Sequence, residues 1–263
     1  MLATLMIYLG AGAVAGLIGG LFGLGGGVVM VPVMLFVFTA QGLPEAATMH
    51  MAVASSLAII VLTSLSSVRA HHRLRGVLWP VFVRLAPGIV AGALAGAWFA
   101  DSLSAAALQN VFALFLAAVA AKMALELTPA SGRHLPGTAA MTAAGGVIGA
   151  ASAVVGIGGG TLTVPFLTRC GIAMRQAVGT SAACGLPIAL AGAAGFMLTG
   201  WGQPELPPFT TGYVYWPAVG GIAAASVVAA PVGARLAHRM PAPLLRRLFA
   251  ALLALVALRL FLG

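Results

Sequence analysis

Apolar runs long enough to cross a membrane follow one another along almost the whole chain, and short segments between them hold most of the charge. A helix needs about 20 apolar residues to span a hydrocarbon core of about 30 Å. On that measure, full-length spans are predicted at Leu2–Phe22, Ala46–Val68, Val77–Ala100, Ala105–Leu127, Gly137–Val155, Ala173–Leu198, Val214–Ala237 and Leu244–Leu262. Two shorter runs, Val28–Phe38 and Leu162–Leu167, are too brief for an ordinary span. Each lies just after a triple glycine and carries a proline, Pro32 or Pro165. The apolarity is continuous and does not alternate, which disfavours a closed barrel. The first run lacks a basic n-region and ends in glycines, so it is read as a retained span and not as a cleaved signal. The predicted fold class is an all-α polytopic membrane protein, with eight full transmembrane helices plus two short or broken glycine-proline segments.

Composition narrows the function. Of 263 residues, 61% are apolar and 6% charged, against about 45–50% and about 25% for a soluble domain. That excludes a soluble enzyme and leaves no room for an added soluble domain. A net charge of +9 would point to nucleic acid in a soluble protein. Here the basic residues fall in loop clusters, so the expected partners are membrane lipids and a small anionic substrate, with no nucleic acid. Glu45, Asp101, Glu126 and Glu205 all fall at segment ends. With no carboxylate at mid-membrane, a metal or cation permease and a carboxylate proton relay are both disfavoured. Cys170 and Cys184 show no metal-ligand spacing, and no cofactor is implied.

Self-comparison reveals two halves of similar build. Gly12, Val14, Gly16, Gly23, Gly25–Gly27, Val31 and Pro32 recur 133 residues on as Gly145, Val147, Gly149, Gly156, Gly158–Gly160, Val164 and Pro165. Met49, Ala52, Val53 and Ser56 recur 125 on as Met174, Ala177, Val178 and Ser181. Trp79-Pro80, Gly96, Leu108 and Phe112 recur 137 on as Trp216-Pro217, Gly233, Leu245 and Phe249. The division is 1–128 for the first repeat, 129–136 for a cytoplasmic linker and 137–263 for the second. Loop charge relates the halves. The loop with Arg69, His71, His72, Arg73 and Arg75 is basic, whereas its counterpart Thr199–Thr211 holds Glu205 and no Lys or Arg. Conversely, the loop near Asp101 has no basic residue, and its counterpart carries Arg235, Arg239, Arg246 and Arg247. Lys/Arg-rich loops stay cytoplasmic. Equivalent loops therefore lie on opposite sides, as in an inverted repeat with both termini outside, and Arg133, Arg169 and Arg175 then fall on the cytoplasmic side.

Candidate chemistry centres on the paired motifs Gly23-Leu24-Gly25-Gly26-Gly27…Pro32 and Gly156-Ile157-Gly158-Gly159-Gly160-Thr161…Pro165. Consecutive glycines weaken a helix by about 1 kcal/mol each against Ala. Unwound backbone at membrane depth is tolerated where protein or a watery cavity surrounds it. The amides freed there, at the start of the next half-helix, form an anion site. The candidate substrate-binding residues are Gly25, Gly26, Gly27, Gly158, Gly159, Gly160 and Thr161, together with the hydroxyls of Ser55, Ser56, Thr180 and Ser181. Interhelical hydrogen bonding is the competing role for those hydroxyls. His50 and Arg175 occupy equivalent repeat positions and could attract an anion at a vestibule. Arg84 shares an i+4 ridge with Gly88, Gly92 and Gly96, with snorkelling to headgroups as its alternative. That ridge, and Gly12, Gly16 and Gly20, read as close helix packing. The His71-His72 pair is a solvated anchor. No Gly-x-Ser-x-Gly elbow is present, so an intramembrane hydrolase built on Ser152 and His50 has no motif behind it.

The doubled Gly-(Leu/Ile)-Gly-Gly-Gly-x4-Pro motif, with Gly179-Thr180-Ser181, resembles the TauE/SafE sulfite exporter family, and the likeness covers essentially the whole chain. The resemblance implies a transporter of the bacterial inner membrane that handles sulfite, sulfoacetate or other small organosulfonates. Family members have about eight spans, the number of full-length runs here. The first half departs from the pattern, with Ala54-Ser55-Ser56 in place of Gly179-Thr180-Ser181. The expected function is secondary transport of a sulfur-containing oxyanion by alternating access. The alternatives are an anion channel on the same site and, less favoured, a metal or cation permease.

Overall fold

A computed structural model describes residues 2–22, 27–125, 135–237 and 242–262, and helices occupy every run that the hydropathy pattern marks. The long runs become α1 (Leu2–Phe22), α3 (Glu45–Arg73), α4 (Trp79–Asp101), α5 (Ala105–Ala124), α6 (Thr138–Val155), α8 (Met174–Thr199), α9 (Trp216–Ala237) and α10 (Ala242–Leu262). The two short runs become α2 (Gly27–Ala40) and α7 (Gly160–Arg169). By length and composition, α3, α4, α5, α6 and α8 are long and apolar enough to cross a membrane. The chain is a multi-pass helical membrane protein. Its outer surface agrees, because Phe36, Val83, Leu114, Val147, Leu190, Val228 and Leu255 are all exposed.

One short β ladder interrupts the helices. Thr210–Thr211 (β1) pairs antiparallel with Val214–Tyr215 (β2). The span expected from Val214 therefore begins at Trp216. Pro217 explains that start: it has no N–H to donate and suits the first helical turn. α4 begins in the same way at Trp79-Pro80.

Helix packing comes in pairs related by exchanging the halves. α4 lies along α6, and α1 lies along α9. A Cβ on Gly88 or Gly92 would run into the backbone carbonyl of Thr142 or Gly146, and one on Gly145 or Gly149 into that of Leu85 or Ile89. In the other pair, Gly12 meets Ile222 and Gly16 meets Ser226. Gly12 and Gly16 are the repeat counterparts of Gly145 and Gly149, and Ile222 and Ser226 are those of Leu85 and Ile89. The small residues let backbones approach to contact distance, which is how helices associate where lipid supplies no hydrophobic drive.

Two faces result. One gathers the C-terminus of α3, the N-terminus of α4 and the N-terminus of α8, joined by Arg175 donating to the Leu74 carbonyl at 2.9 Å. It carries Arg69, Arg73, Arg75 and Arg175 and is called the basic face below. The other gathers the N-terminus of α3, the C-termini of α4 and α8 and the β ladder. Glu45, Asp101 and Glu205 mark it as the acidic face, and exposed Trp98, Phe99, Trp201, Phe209 and Trp216 ring it. Amphipathic aromatics collect at a membrane–water interface in this way.

Candidate functional site

The second glycine motif stops one helix and starts another. Gly156 adopts the left-handed conformation (φ 72°), its amide bonds back to the Ala153 carbonyl, and the Ile157 amide bonds to the Ser152 carbonyl at 3.0 Å. That is a Schellman stop, and only glycine takes its pivotal position without strain. α7 then begins at Gly160, with Gly159 accepting from the Thr163 amide at 2.8 Å. At about 1.5 Å per residue, the 10 residues of α7 measure about 15 Å, half a hydrocarbon core.

The break sits near the middle of the long helices. A Cβ on Gly185 would lie 3.7 Å from the Gly159 amide nitrogen. Gly185 is 11 residues past Met174 (185 minus 174), about 16 Å along α8. In the first half, Gly27 abuts Ile60, midway along α3. Ile60 and Gly185 are repeat counterparts, 125 apart. The two motifs also touch each other: a Cβ on Gly27 would lie 3.0 Å from the Ile157 Cα and 3.1 Å from the Gly158 nitrogen. Gly25 and Gly26 lie outside the described residues.

The hydroxyls are placed by the same exchange. Ser55 Oγ accepts from the Tyr215 amide at 3.0 Å, and Thr180 Oγ1 accepts from the Leu78 amide at 2.9 Å. Ser55 and Thr180 are repeat counterparts, as are Leu78 and Tyr215. Each hydroxyl therefore staples the start of a helix in the opposite half. Ser56 donates to the Gly156 carbonyl at 2.9 Å and clasps the break itself. Ser181 is buried, with its carbonyl 3.4 Å from where a Gly159 Cβ would lie. Sequence reasoning missed Thr163, Ser64 and Gly185. Thr163 is fully buried, and its Oγ1 has no partner among the described residues; nor has that of Thr161. Ser64 lies 3.3 Å from a Cβ position on Gly185. Thr163 sits at a variable position of the glycine–proline motif, whereas Ser64 and Gly185 are brought to the break only by the fold.

The charged candidates fall elsewhere. Arg84 is exposed, and only its backbone joins the α6 contact, accepting from Thr142. An i+4 row drifts by about 40° per step around a helix, so Arg84 sits at the edge of the face that Gly92 and Gly96 occupy. Arg175 is exposed on the basic face. His50 is 4% exposed on the acidic side, and its ring stacks on Tyr213 at 5.1 Å. Tyr213 in turn donates to Asp101 at 2.9 Å. Burial, then the Asp101 bond and charge, push the Tyr213 hydroxyl up to about 12, so it remains a neutral donor.

His50, Asp101 and Tyr213 line a cavity of about 1190 Å³. It runs from Glu45 and Ser104 at the acidic face along α1 and α2 to Ile18 and Val28, beside the first glycine motif. A mainly apolar cleft with a few convergent polar groups is the usual form of a ligand site.

A helical bundle with an apolar outer surface, short helices that start at glycine breaks and a large, mainly apolar cavity fits the class of membrane transporters. The particular family is shown by comparison: the family model for the sulfite exporter TauE/SafE matches residues 8–260, and the chain belongs to that family. A probable membrane transporter protein of Haemophilus influenzae is 36% identical over 263 residues, covering 100% of both chains. One from Methanocaldococcus jannaschii is 26% identical over 186 residues, 68% of this chain and 67% of that one. One from Bacillus subtilis is 28% identical over 181 residues, 62% and 66%. No solved structure gives a significant match.

Proposed function

We propose that the protein is a secondary transporter of small sulfur-containing oxyanions (sulfite, sulfoacetate or a related organosulfonate) in the bacterial inner membrane, working by alternating access. The observation that carries this reading is the meeting of Gly27 with Ile157–Gly158 beside the midpoint of α3. Two short helices starting from one buried junction aim their first-turn amides at a shared region, which favours negative charge. The first-turn amides of α7 lack intrahelical partners, and the Thr161 and Thr163 hydroxyls have no partner among the described residues. Ser55, Ser56 and Thr180 hold the scaffold around them.

The exchange-related packing supports two inverted repeats, 1–128 and 137–263, about a pseudo-two-fold axis, the arrangement on which rocking-bundle transporters are built. The cluster of Arg69, Arg73, Arg75 and Arg175 on one face, opposite Glu45, Asp101 and Glu205, supports a cytoplasmic basic face, with both termini outside. The large cavity on the acidic side then belongs to an outward-open state. The family's name supports sulfite as substrate.

Gly158→Ala tests the site. A Cβ there would lie 3.5 Å from Ile60, an ordinary contact, so the variant should fold. Its methyl group crowds the amides, and uptake of labelled sulfite into proteoliposomes should fall about tenfold, a loss of about 1.4 kcal/mol. Unaltered uptake would refute the assignment. Gly159→Leu should abolish uptake.

A further inference from the structure

We infer that His50 is the proton-binding residue of the cavity, and that a substrate oxyanion enters there paired with the proton His50 carries. This deepens the transport reading and rests on it.

The geometry fixes the tautomer. His50 Nε2 lies 3.0 Å from the Ala100 carbonyl, which can only accept, so Nε2 carries the hydrogen. Nδ1 is then a bare lone pair. It is buried in a residue 4% exposed and has no partner among the described residues. An orphaned acceptor in a buried side chain is unfavourable unless something binds it. A proton taken from water on the acidic face fills it: the lone pair forms an N–H bond, neutral imidazole becomes imidazolium, and the Nε2 bond to Ala100 is kept. The new Nδ1–H donates to the oxyanion. Release of the anion and return of the proton to water restore the starting state.

The surroundings suit that charge. The Tyr213 ring lies beneath the imidazole, 27° from parallel, and an aromatic face attracts a cation. The charged and titratable groups lining the same cavity are Glu45, Asp101, Tyr213 and Arg259. The Arg259 guanidinium sits 5.4 Å over the Phe36 ring and gives an incoming anion a second positive partner. The repeat counterpart of His50 is Arg175, a permanent cation. The acidic-face half has a switchable charge where the other half has a fixed one.

Methanesulfonate is a suitable probe because it stays ionised across the whole range. Uptake of labelled methanesulfonate and sulfite by wild-type proteoliposomes should rise about tenfold or more as external pH falls from about 8 to about 5.5, a range that brackets imidazole titration. His50→Gln should hold uptake flat at the level wild type has at the alkaline end. His50→Arg should hold it flat at the acid-end level. Independently, nitrogen-labelled histidine NMR of the protein in nanodiscs, with His50 assigned from the Gln variant, should show either anion raising the His50 titration midpoint, as linkage requires. A midpoint indifferent to both anions, or a pH profile that His50→Gln leaves as in wild type, overturns the inference. If wild type moves neither anion at any pH, the transport reading falls instead, and the NMR titration still decides on His50.

Discussion

Positions 50 and 175 are the same place in the two repeats, five residues and one residue into α3 and α8 respectively, yet the fold treats them oppositely. His50 is buried under Tyr213, with one nitrogen anchored and one unpaired. Arg175 is exposed and donates to the Leu74 carbonyl. The backbone contacts around them, by contrast, repeat closely. Gly145 against Leu85 has its counterpart in Gly12 against Ile222, and Thr180 with Leu78 has its counterpart in Ser55 with Tyr215. The duplicated element is the scaffold of small residues and hydroxyl staples. The side chains near each face differ between the halves, and function that differs between the faces belongs to them.

The strongest way to break that comparison is to attack the scaffold. Gly92→Leu would drive a side chain into the Gly146 carbonyl, where both partners are rigid helix backbone. Overpacking in a well-packed core costs about 1–3 kcal/mol and more when backbone has to move. Gly12→Leu should do the same at the counterpart contact with Ile222. Both variants should lose yield and lower the midpoint of thermal unfolding in detergent by similar amounts. A large loss from one and none from the other would mean that the two packings are not equivalent.

How much of this was legible in the sequence follows from range. Helix positions could be read because hydropathy is local and a run of about 20 apolar residues has few alternatives in lipid. Gly156 stops α6 where the glycine motif begins, whereas α4 and α9 start at Trp79 and Trp216, two residues later than the apolar runs from Val77 and Val214. The ridge Gly88-Gly92-Gly96 announced a close helix contact, but not that α6 would fill it. The hydroxyls show the limit. Ser55 and Thr180 could be paired by repeat spacing, while their partners, Tyr215 and Leu78, are 160 and 102 residues away. The His50–Tyr213–Asp101 cluster joins three elements and leaves no periodic trace, so only the fold reveals it. Arg84 lies exposed at the edge of its glycine ridge because an i+4 row drifts around the helix.

A smaller effect separates the staples from the packing. Ser55→Ala and Thr180→Val each remove a fully buried acceptor from one partly buried amide. An amide left unpaired costs about 1–3 kcal/mol. The two losses should agree within about 0.5 kcal/mol and add in the double variant, since the bonds share no partner. Unequal losses in thermal unfolding would show that the short β ladder, which exists only at the Tyr215 end, carries part of the load on that side.

The smallest expected effect belongs to the basic face and sharpens the comparison from the other direction. Arg175→Gln removes one hydrogen bond at an exposed site, so stability should stay within about 0.5 kcal/mol of wild type. Under the transport reading it should also leave the pH profile of uptake unchanged, because an arginine keeps its charge throughout the range and contributes none of the slope. Its charge can matter only as a constant attraction, which salt screens at an exposed site. The expected outcome is therefore a modest fall in uptake at low ionic strength that vanishes at high salt, measured beside His50→Gln in the same vesicles. A salt-insensitive loss would mean that the Leu74 contact positions the start of α4 for transport, and the two faces would then differ less than their exposures suggest.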